Sequence, residues 1–218
     1  MSSMTRWWWI RHAPVPDGGR IYGQSDLACD CGDAAVFAGL AAELPAGAVW
    51  VTSNLVRTTQ TAEAILAADP GKFTGVEANA VSELAEQHLG EWQGLDRKAF
   101  YAERRVGTHA LWFGPADERP PGGESFTDLV ERVAPAITRL NAQHRGRDIV
   151  AVTHGGTIRA ALGLALGLAP QAALAFSTDN CSLTRLDHLS TGDGGPGLWR
   201  VVTVNRCPGR AANPLSPR

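Results

Sequence analysis

Two histidines stand at the ends of apolar runs. Trp7-Trp8-Trp9-Ile10 stops at Arg11-His12, and Ile149-Val150-Ala151-Val152-Thr153 stops at His154-Gly155-Gly156. A third run, Ala48-Val49-Trp50-Val51-Thr52, stops at Ser53-Asn54, with Arg57 three residues on. In open α/β sheets, ligands gather outside the carboxyl ends of the strands. If these runs are neighbouring parallel strands, two histidines and two arginines meet at one place. Helix N-termini meet there too, and their spare N–H groups and positive dipole ends attract anions. That charge density suits phosphate, because the arginine fork donates two parallel bonds to phosphate oxygens.

A neutral imidazole is a competent nucleophile toward phosphorus. Attack by His12 would form a phosphohistidine and split hydrolysis into two easier steps. Arg11, Arg57 and His154 would then surround the equatorial oxygens of the transferring group. The leaving oxygen needs a proton, which a carboxyl group can give and later recover from water. Glu83 and Glu86 are the candidates for that carboxyl. Gly155 and Gly156 allow close backbone approach to a ligand, and Gly155 is read as part of the phosphate site. His88 and Glu124 read as supporting or surface groups, and His109, His144 and His188 as solvent-facing.

The elements that must position these residues alternate between strand and helix. Residues 5–11 predict a strand, continuously apolar as in a sheet covered on both faces, with Trp7 to Trp9 on the core or sheet face. Residues 13–28 predict a Pro/Gly-rich loop, and residues 33–43 a helix. The strand at 48–52 leads to a helix capped by Ser53 or Asn54, with Leu55, Ala62, Ile65 and Leu66 on one face. Residues 95–124 read as an insertion over one end of the sheet. It carries Trp112 and Phe113 as cap packing or substrate contacts. Ser125 starts a helix to about Gln143, which Pro135 should kink or shorten. A strand at 148–153 and a helix at about 156–167 follow. Residues 181–186 and 198–204 predict a closing strand pair, joined by a Gly/Asp-rich hairpin turn. The expected architecture is a three-layer α/β sandwich with a mostly parallel central sheet. Residues 1–206 form one domain, and 207–218 a flexible tail.

At 218 residues the chain is long enough for one large domain. A net charge of −2 with no basic block excludes a nucleic-acid-binding surface. The four apolar residues before Arg11 are too few for a signal-peptide core or a membrane span, so a cytoplasmic location and no membrane partner are expected. Cys29-x-Cys31 lacks a matching Cys/His pair at zinc spacing, so the four cysteines read as free thiols and no metal or other cofactor is expected. Exposed Trp and Leu at a sheet edge leave a homodimer open.

Taken together, these pieces resemble the histidine phosphatase superfamily, the group that includes the cofactor-dependent phosphoglycerate mutases. The resemblance runs from about Arg6 to Val204. Arg11-His12 matches the family's Arg-His-Gly signature, with Ala13 in place of glycine. The segment from Ser53 to Ala62 matches the second phosphate-binding arginine segment. Glu86, four residues before Gly90, falls where the family places its proton donor. His154 matches the second active-site histidine, and Gly123-Glu124-Ser125 a segment ahead of the long helix. Asp33 stands where many relatives have glycine. The segment Gly19-Arg20-Ile21-Tyr22-Gly23-Gln24-Ser25-Asp26, with the short loop after His12, resembles the α-ribazole phosphatase branch. It nominates Tyr22 and Gln24 as substrate contacts.

The resemblance implies a metal-independent phosphatase acting on a small-molecule phosphomonoester, α-ribazole phosphate among the candidates. His12, Glu86 and His154 are its catalytic set, and Arg11, Arg57 and Gly155 bind phosphate. A phosphoglycerate mutase uses the same set but must exclude water better. A third reading, a non-catalytic module that binds a phospho-ligand on the same fold, has no need of a proton donor at Glu86.

Overall fold

The computed structural model describes residues 3–104, 112–191, 195 and 197–209. His109, the middle of the 95–124 insertion, part of the turn before residue 198, and residues 210–218 of the expected tail lie outside the described residues. A six-stranded sheet runs in the order β3-β2-β4-β1-β5-β6. Its strands are β1 (Ser3–Arg11), β2 (Val49–Thr52), β3 (Ala78–Ala80), β4 (Asp148–Thr153), β5 (Leu183–Ser190) and β6 (Leu198–Arg206). Strands β3, β2, β4 and β1 are mutually parallel, while β5 and β6 close one edge antiparallel. The parallel strands require crossovers, which α1 (Ala34–Glu43), α2 (Val56–Ala68), α3 (Arg97–Glu103) and α4 (Phe126–Gln143) supply; α5 (Gly155–Leu166) and the short α6 (Pro170–Ala173) lead from β4 to the antiparallel β5.

The sheet is covered on both faces, which explains its continuous apolar runs. Successive strand residues point to opposite faces. Trp7 and Trp9 therefore share one face, stacked with ring centroids 4.6 Å apart, and join Ile149 and Ala151 in a core with α4 and α5. Ile10, Trp50, Val150 and Val152 face the other way and pack on α1 and α2. A smaller cluster of Ile21, Leu89 and Phe100 ties the loop after β1 to the chain beside α3.

Several expectations change. Neither Ser53 nor Asn54 caps α2 with its side chain. The N-cap residue is Leu55, and the Val56 N–H is instead satisfied by Asp26 of the preceding loop at 2.7 Å. Pro135 does not shorten α4, which runs through it with its ring on the exposed face. A reciprocal capping box between Ser125 and Asp128 fixes the start of that helix. His144 and His188 are half-buried, less open than the sequence predicts. Residues 207–209 are docked rather than frayed: Pro208 is buried, and Gly209 lies so close to Gly39 of α1 that a side chain at Gly39 would meet its backbone.

Candidate active site

The carboxyl ends of β1, β2 and β4 lie side by side, because β4 pairs with both of the others in parallel register. Three chain segments therefore deliver their exit residues to one spot. The His12 N–H continues the ladder to the Thr153 carbonyl at 2.9 Å. The ring's Nδ1 lies 2.7 Å from the Ala13 carbonyl oxygen. A carbonyl can only accept, so the proton sits on Nδ1 and the lone pair is on Nε2. Burial, and then the charges of Arg11 and Arg57, hold the His12 pKa well below its usual value. The imidazole is thus neutral and nucleophilic at physiological pH.

Ala13 does not open this loop. Its N–H donates to Thr61 Oγ1 at 2.8 Å, and its methyl group is buried in the core against α1 and α2. It is not among the residues with positive φ, so the backbone makes no demand for glycine there.

His154, at the exit of β4, is fully buried, with its ring centroid 5.2 Å from that of His12. Its Nε2 lies 2.8 Å from Ser53 Oγ, and Ser53 Oγ also accepts the Leu55 N–H. With the serine hydroxyl donating to Nε2, the proton of a neutral ring sits on Nδ1. Burial, and then the nearby Arg57 and Arg11 charges, hold the His154 pKa well below its usual value. Arg57, in the first turn of α2, is also fully buried. Its Nη1 and Nη2 donate to the carbonyls of Ser25 and Gly23 at 2.9 and 2.6 Å. Its guanidinium lies 5.1 Å from the Tyr22 ring centroid. Arg11 Nη1 donates to the Thr178 carbonyl at 2.6 Å.

Among the described residues, Arg11 Nε, Arg57 Nε and His154 Nδ1 are buried polar atoms with no hydrogen-bond partner. Buried donors are normally paired, so three of them around one imidazole point to an anionic ligand.

Glu86 faces the same spot. Its carboxylate accepts from the Gly156 N–H at 3.1 and 3.3 Å and from the Gln87 N–H at 3.0 Å. A side chain at Gly156 would come within 2.3 Å of Glu86 Oε1, so glycine is what lets the helix end approach the acid. Gly155 is less tightly enclosed, with Arg159, Thr178 and Arg11 at 3.0 to 3.6 Å from where a Cβ would sit. The other candidate acid, Glu83, points away from the site into an exposed ion pair with Arg139 at 2.9 Å.

The segment carrying Glu86 is held from behind. Arg132 of α4 donates to the carbonyls of Glu83, Ala85 and Glu86 and pairs with Glu124 at 2.6 Å. Glu124 in turn accepts the His88 N–H at 3.0 Å.

A cavity of about 310 Å³ opens outward from Arg11 and Glu86, with Tyr22, Trp112, Phe113 and Arg97 on its walls. His12, Arg57 and His154 lie beneath it at no more than 1% exposure. Of the site residues, Arg11, Tyr22 and Glu86 are the ones that line the cavity itself. Tyr22 is on the wall, its ring centroid 6.3 Å from that of His12. Gln24 is not on that wall. Its side-chain amide donates to the Glu86 carbonyl at 2.8 Å, behind the acid. Trp112 lines the cavity, and its indole N–H donates to Gln87 Oε1 at 2.7 Å.

Several wall residues escaped the sequence reading, Arg97, Arg159 and Asn180 among them. Arg159 stacks over Trp112, its guanidinium carbon 4.6 Å from the ring centroid. Its position four residues after Gly155 puts it on the same helix face, a signal that was available. Asn180 donates to the His12 carbonyl at 2.7 Å, from an irregular loop that carries no pattern.

The sequence profile described as "Histidine phosphatase superfamily (branch 1)" matches residues 8–205. A glucosyl-3-phosphoglycerate phosphatase of Mycobacterium tuberculosis is 35% identical over 168 residues, 71% of this chain and 72% of that protein. The native structure of a mycobacterial glucosyl-3-phosphoglycerate phosphatase superposes with a TM-score of 0.77 at 28% identity, covering 93% of this chain and 99% of that one. The α-ribazole phosphatase from Shigella flexneri has a TM-score of 0.74 over 95% of this chain and 100% of that one. At 20% identity it bears on the fold alone.

Proposed function

As the chain belongs to the histidine phosphatase superfamily and is a hydrolase of phosphoric monoesters, we propose that it works without metal through phosphorylated His12 on a small-molecule ester. Phosphate enters beneath the cavity, where Arg11, Arg57, His154 and the Gly155 helix end take its oxygens. The Nε2 lone pair of His12 attacks phosphorus, Glu86 protonates the leaving oxygen, and the ester's alcohol departs. Water then attacks the phosphohistidine, giving its proton to Glu86, and inorganic phosphate leaves. The observation that carries this reading is the ring of unpartnered buried donors, Arg11 Nε, Arg57 Nε and His154 Nδ1, around a neutral imidazole whose Nδ1 is occupied by Ala13.

For the ester itself, the relatives at 31% and 35% identity are named for glucosyl-3-phosphoglycerate. Arg159 on the wall beyond Arg11 suits a leaving group that bears a carboxylate, which favours glucosyl-3-phosphoglycerate over α-ribazole phosphate. A comparison of kcat/KM on the two esters decides between them.

A rapid quench with phosphorus-labelled substrate is expected to trap acid-labile label on His12, with turnover abolished in His12→Ala. Absence of label in the unaltered protein, or undiminished turnover in the variant, would falsify the mechanism. Activity is expected to survive chelators; loss with EDTA that added metal restores contradicts it. Because one relative is named a phosphoglycerate mutase, at 30% identity over 169 residues, 3-phosphoglycerate is a necessary control. Appearance of 2-phosphoglycerate faster than free phosphate overturns the hydrolase reading.

A further inference from the structure

The loop between β1 and α1 carries two cysteines that the phosphatase chemistry does not use. Cys29 Sγ and Cys31 Sγ lie 3.6 Å apart, and both are free thiols. They line a shallow surface depression with Gln60, Glu63 and Ala64, so a small reagent can reach them. Among the described residues no three His, Cys, Asp or Glu side chains gather in a way that could hold a metal ion. A pair of thiols in contact, open to solvent and without further ligands, has dithiol chemistry available to it.

This pair is tied to the walls of the phosphate site. The Cys29 N–H donates to Gln60 Oε1 at 3.0 Å, and its Sγ lies 3.3 Å from the Arg57 carbonyl oxygen and 3.5 Å from Thr61 Oγ1. Thr61 Oγ1 is the acceptor of the Ala13 N–H, beside the nucleophile. The Asp30 N–H donates to the Pro14 carbonyl at 2.7 Å. Residues 29–31 thus stitch the chain just after His12 to the helical turns that carry Arg57.

We propose that Cys29 and Cys31 form a reversible thiol-oxidation site that hydroperoxides close to a disulfide, weakening phosphate binding between His12 and Arg57. The Cys29 sulfur attacks the peroxide; an S–O bond forms, the O–O bond breaks, and an alcohol leaves (water, for hydrogen peroxide). The Cys31 sulfur then attacks the Cys29 sulfenic acid; the S–S bond forms, the S–O bond breaks, and the hydroxyl departs as water with the remaining thiol proton. Two thiols are oxidised and one peroxide is reduced. Burial, and then the neighbouring Cys29 sulfur, push the Cys31 thiol up to about 12, so Cys31 is not the sulfur that meets the peroxide first. Bonded sulfurs lie about 2.05 Å apart, so closure draws Cys29 or Cys31 off its contacts with α2. Arg57 and Ala13 lose part of the scaffold that aligns them.

The activity arm rests on the phosphatase reading; the bond and binding arms do not. The full chain, reduced and then freed of reductant, is treated with hydrogen peroxide. Three measurements follow: peptide mapping of the cysteines, inorganic phosphate affinity by calorimetry, and hydrolysis of p-nitrophenyl phosphate. A bond between Cys29 and Cys31 is expected, with Cys181 and Cys207 still alkylatable. Weaker phosphate binding and activity lower by about tenfold should accompany it, within the range that a displacement of about 1 Å carries at such a site. Thiol reductant should restore both. Cys31→Ser should keep the untreated activity and lose the reversible response. Mapping to another pair, a Cys29–Cys31 bond that leaves phosphate affinity unchanged, or an undiminished response in Cys31→Ser each overturns the proposal. If no ester is turned over at all, the phosphatase reading fails while bond mapping and phosphate binding still judge this one.

Discussion

At the scale of single residues the site depends on which atoms are already engaged. His12 can attack through Nε2 because the Ala13 carbonyl occupies Nδ1. Glu86 reaches the same spot only because residue 156 has no side chain. Gly156→Ala is therefore informative. The added Cβ meets Glu86 Oε1 at 2.3 Å and Leu129 Cδ1 at 3.2 Å, both of them ends of flexible side chains. Those ends can move at modest cost to the fold, but the acid then leaves its place. A fall in kcat of about ten- to a hundredfold is expected, with KM and melting temperature nearly unchanged. Steady-state kinetics and a thermal melt check it, and a kcat within twofold of the unaltered protein would mean that Glu86 is not held by that contact. Residue type alone does not separate Glu83 from Glu86; the spacing to Gly90, read through the family resemblance, favours Glu86. Both follow the same short β3 strand, and only the Arg139 ion pair and the α5 amides separate their environments.

At the scale of elements, the clamp of α4 on residues 83–88 gives a sharper test. Arg132 does not line the cavity, yet its guanidinium holds three carbonyls of the segment that bears the acid. A displaced general acid harms esters with poor leaving groups most, because a good leaving group departs without a proton. Arg132→Ala should thus lower kcat on an alkyl phosphate by about tenfold or more, and on p-nitrophenyl phosphate far less. Arg132→Lys should recover part of the loss. Equal losses on both esters would mark Arg132 as a purely structural residue.

The same scale shows what could be read from the sequence. β1, β2 and β4 were legible as apolar runs because the sheet is buried on both faces, and their polar exits named Arg11, His12, Arg57 and His154. The start of α4 was legible because Ser125 and Asp128 satisfy each other within one turn. β3 was not, since Ala78-Asn79-Ala80 has neither length nor apolar alternation. The cap of α2 was not either, because its donor is satisfied by Asp26, thirty positions earlier in the chain. Local rules see local partners. Asn180 and Arg132 act across the fold and left no trace at their own positions.

For the whole molecule, the two buried imidazoles couple stability to acidity. Both are held well below the ordinary value of 6.5. An unfolded chain binds protons at His12 and His154 as the pH falls through about 6.5, and the folded chain resists them. The unfolded state then carries more protons, so stability is full above that pH and declines below it, down to the depressed folded values. The carboxylates of Glu83 and Asp128 are shifted down as well, mainly through hydrogen bonds from the Glu83 backbone N–H and the Ser125 hydroxyl respectively. Their contribution is lost only below about pH 4, so the two windows separate. A bound phosphate anion opposes the histidine penalty twice over. It binds the folded state alone, and its negative charge eases protonation of the imidazoles beside it. The melting temperature is accordingly expected to fall between pH 7 and pH 5.5, and to fall less with saturating inorganic phosphate. Thermal melts in non-phosphate buffers across that range measure it. A melting temperature that holds or rises on acidification would show that His12 and His154 are not kept neutral by the fold. An equal fall with and without phosphate would place the anion away from them.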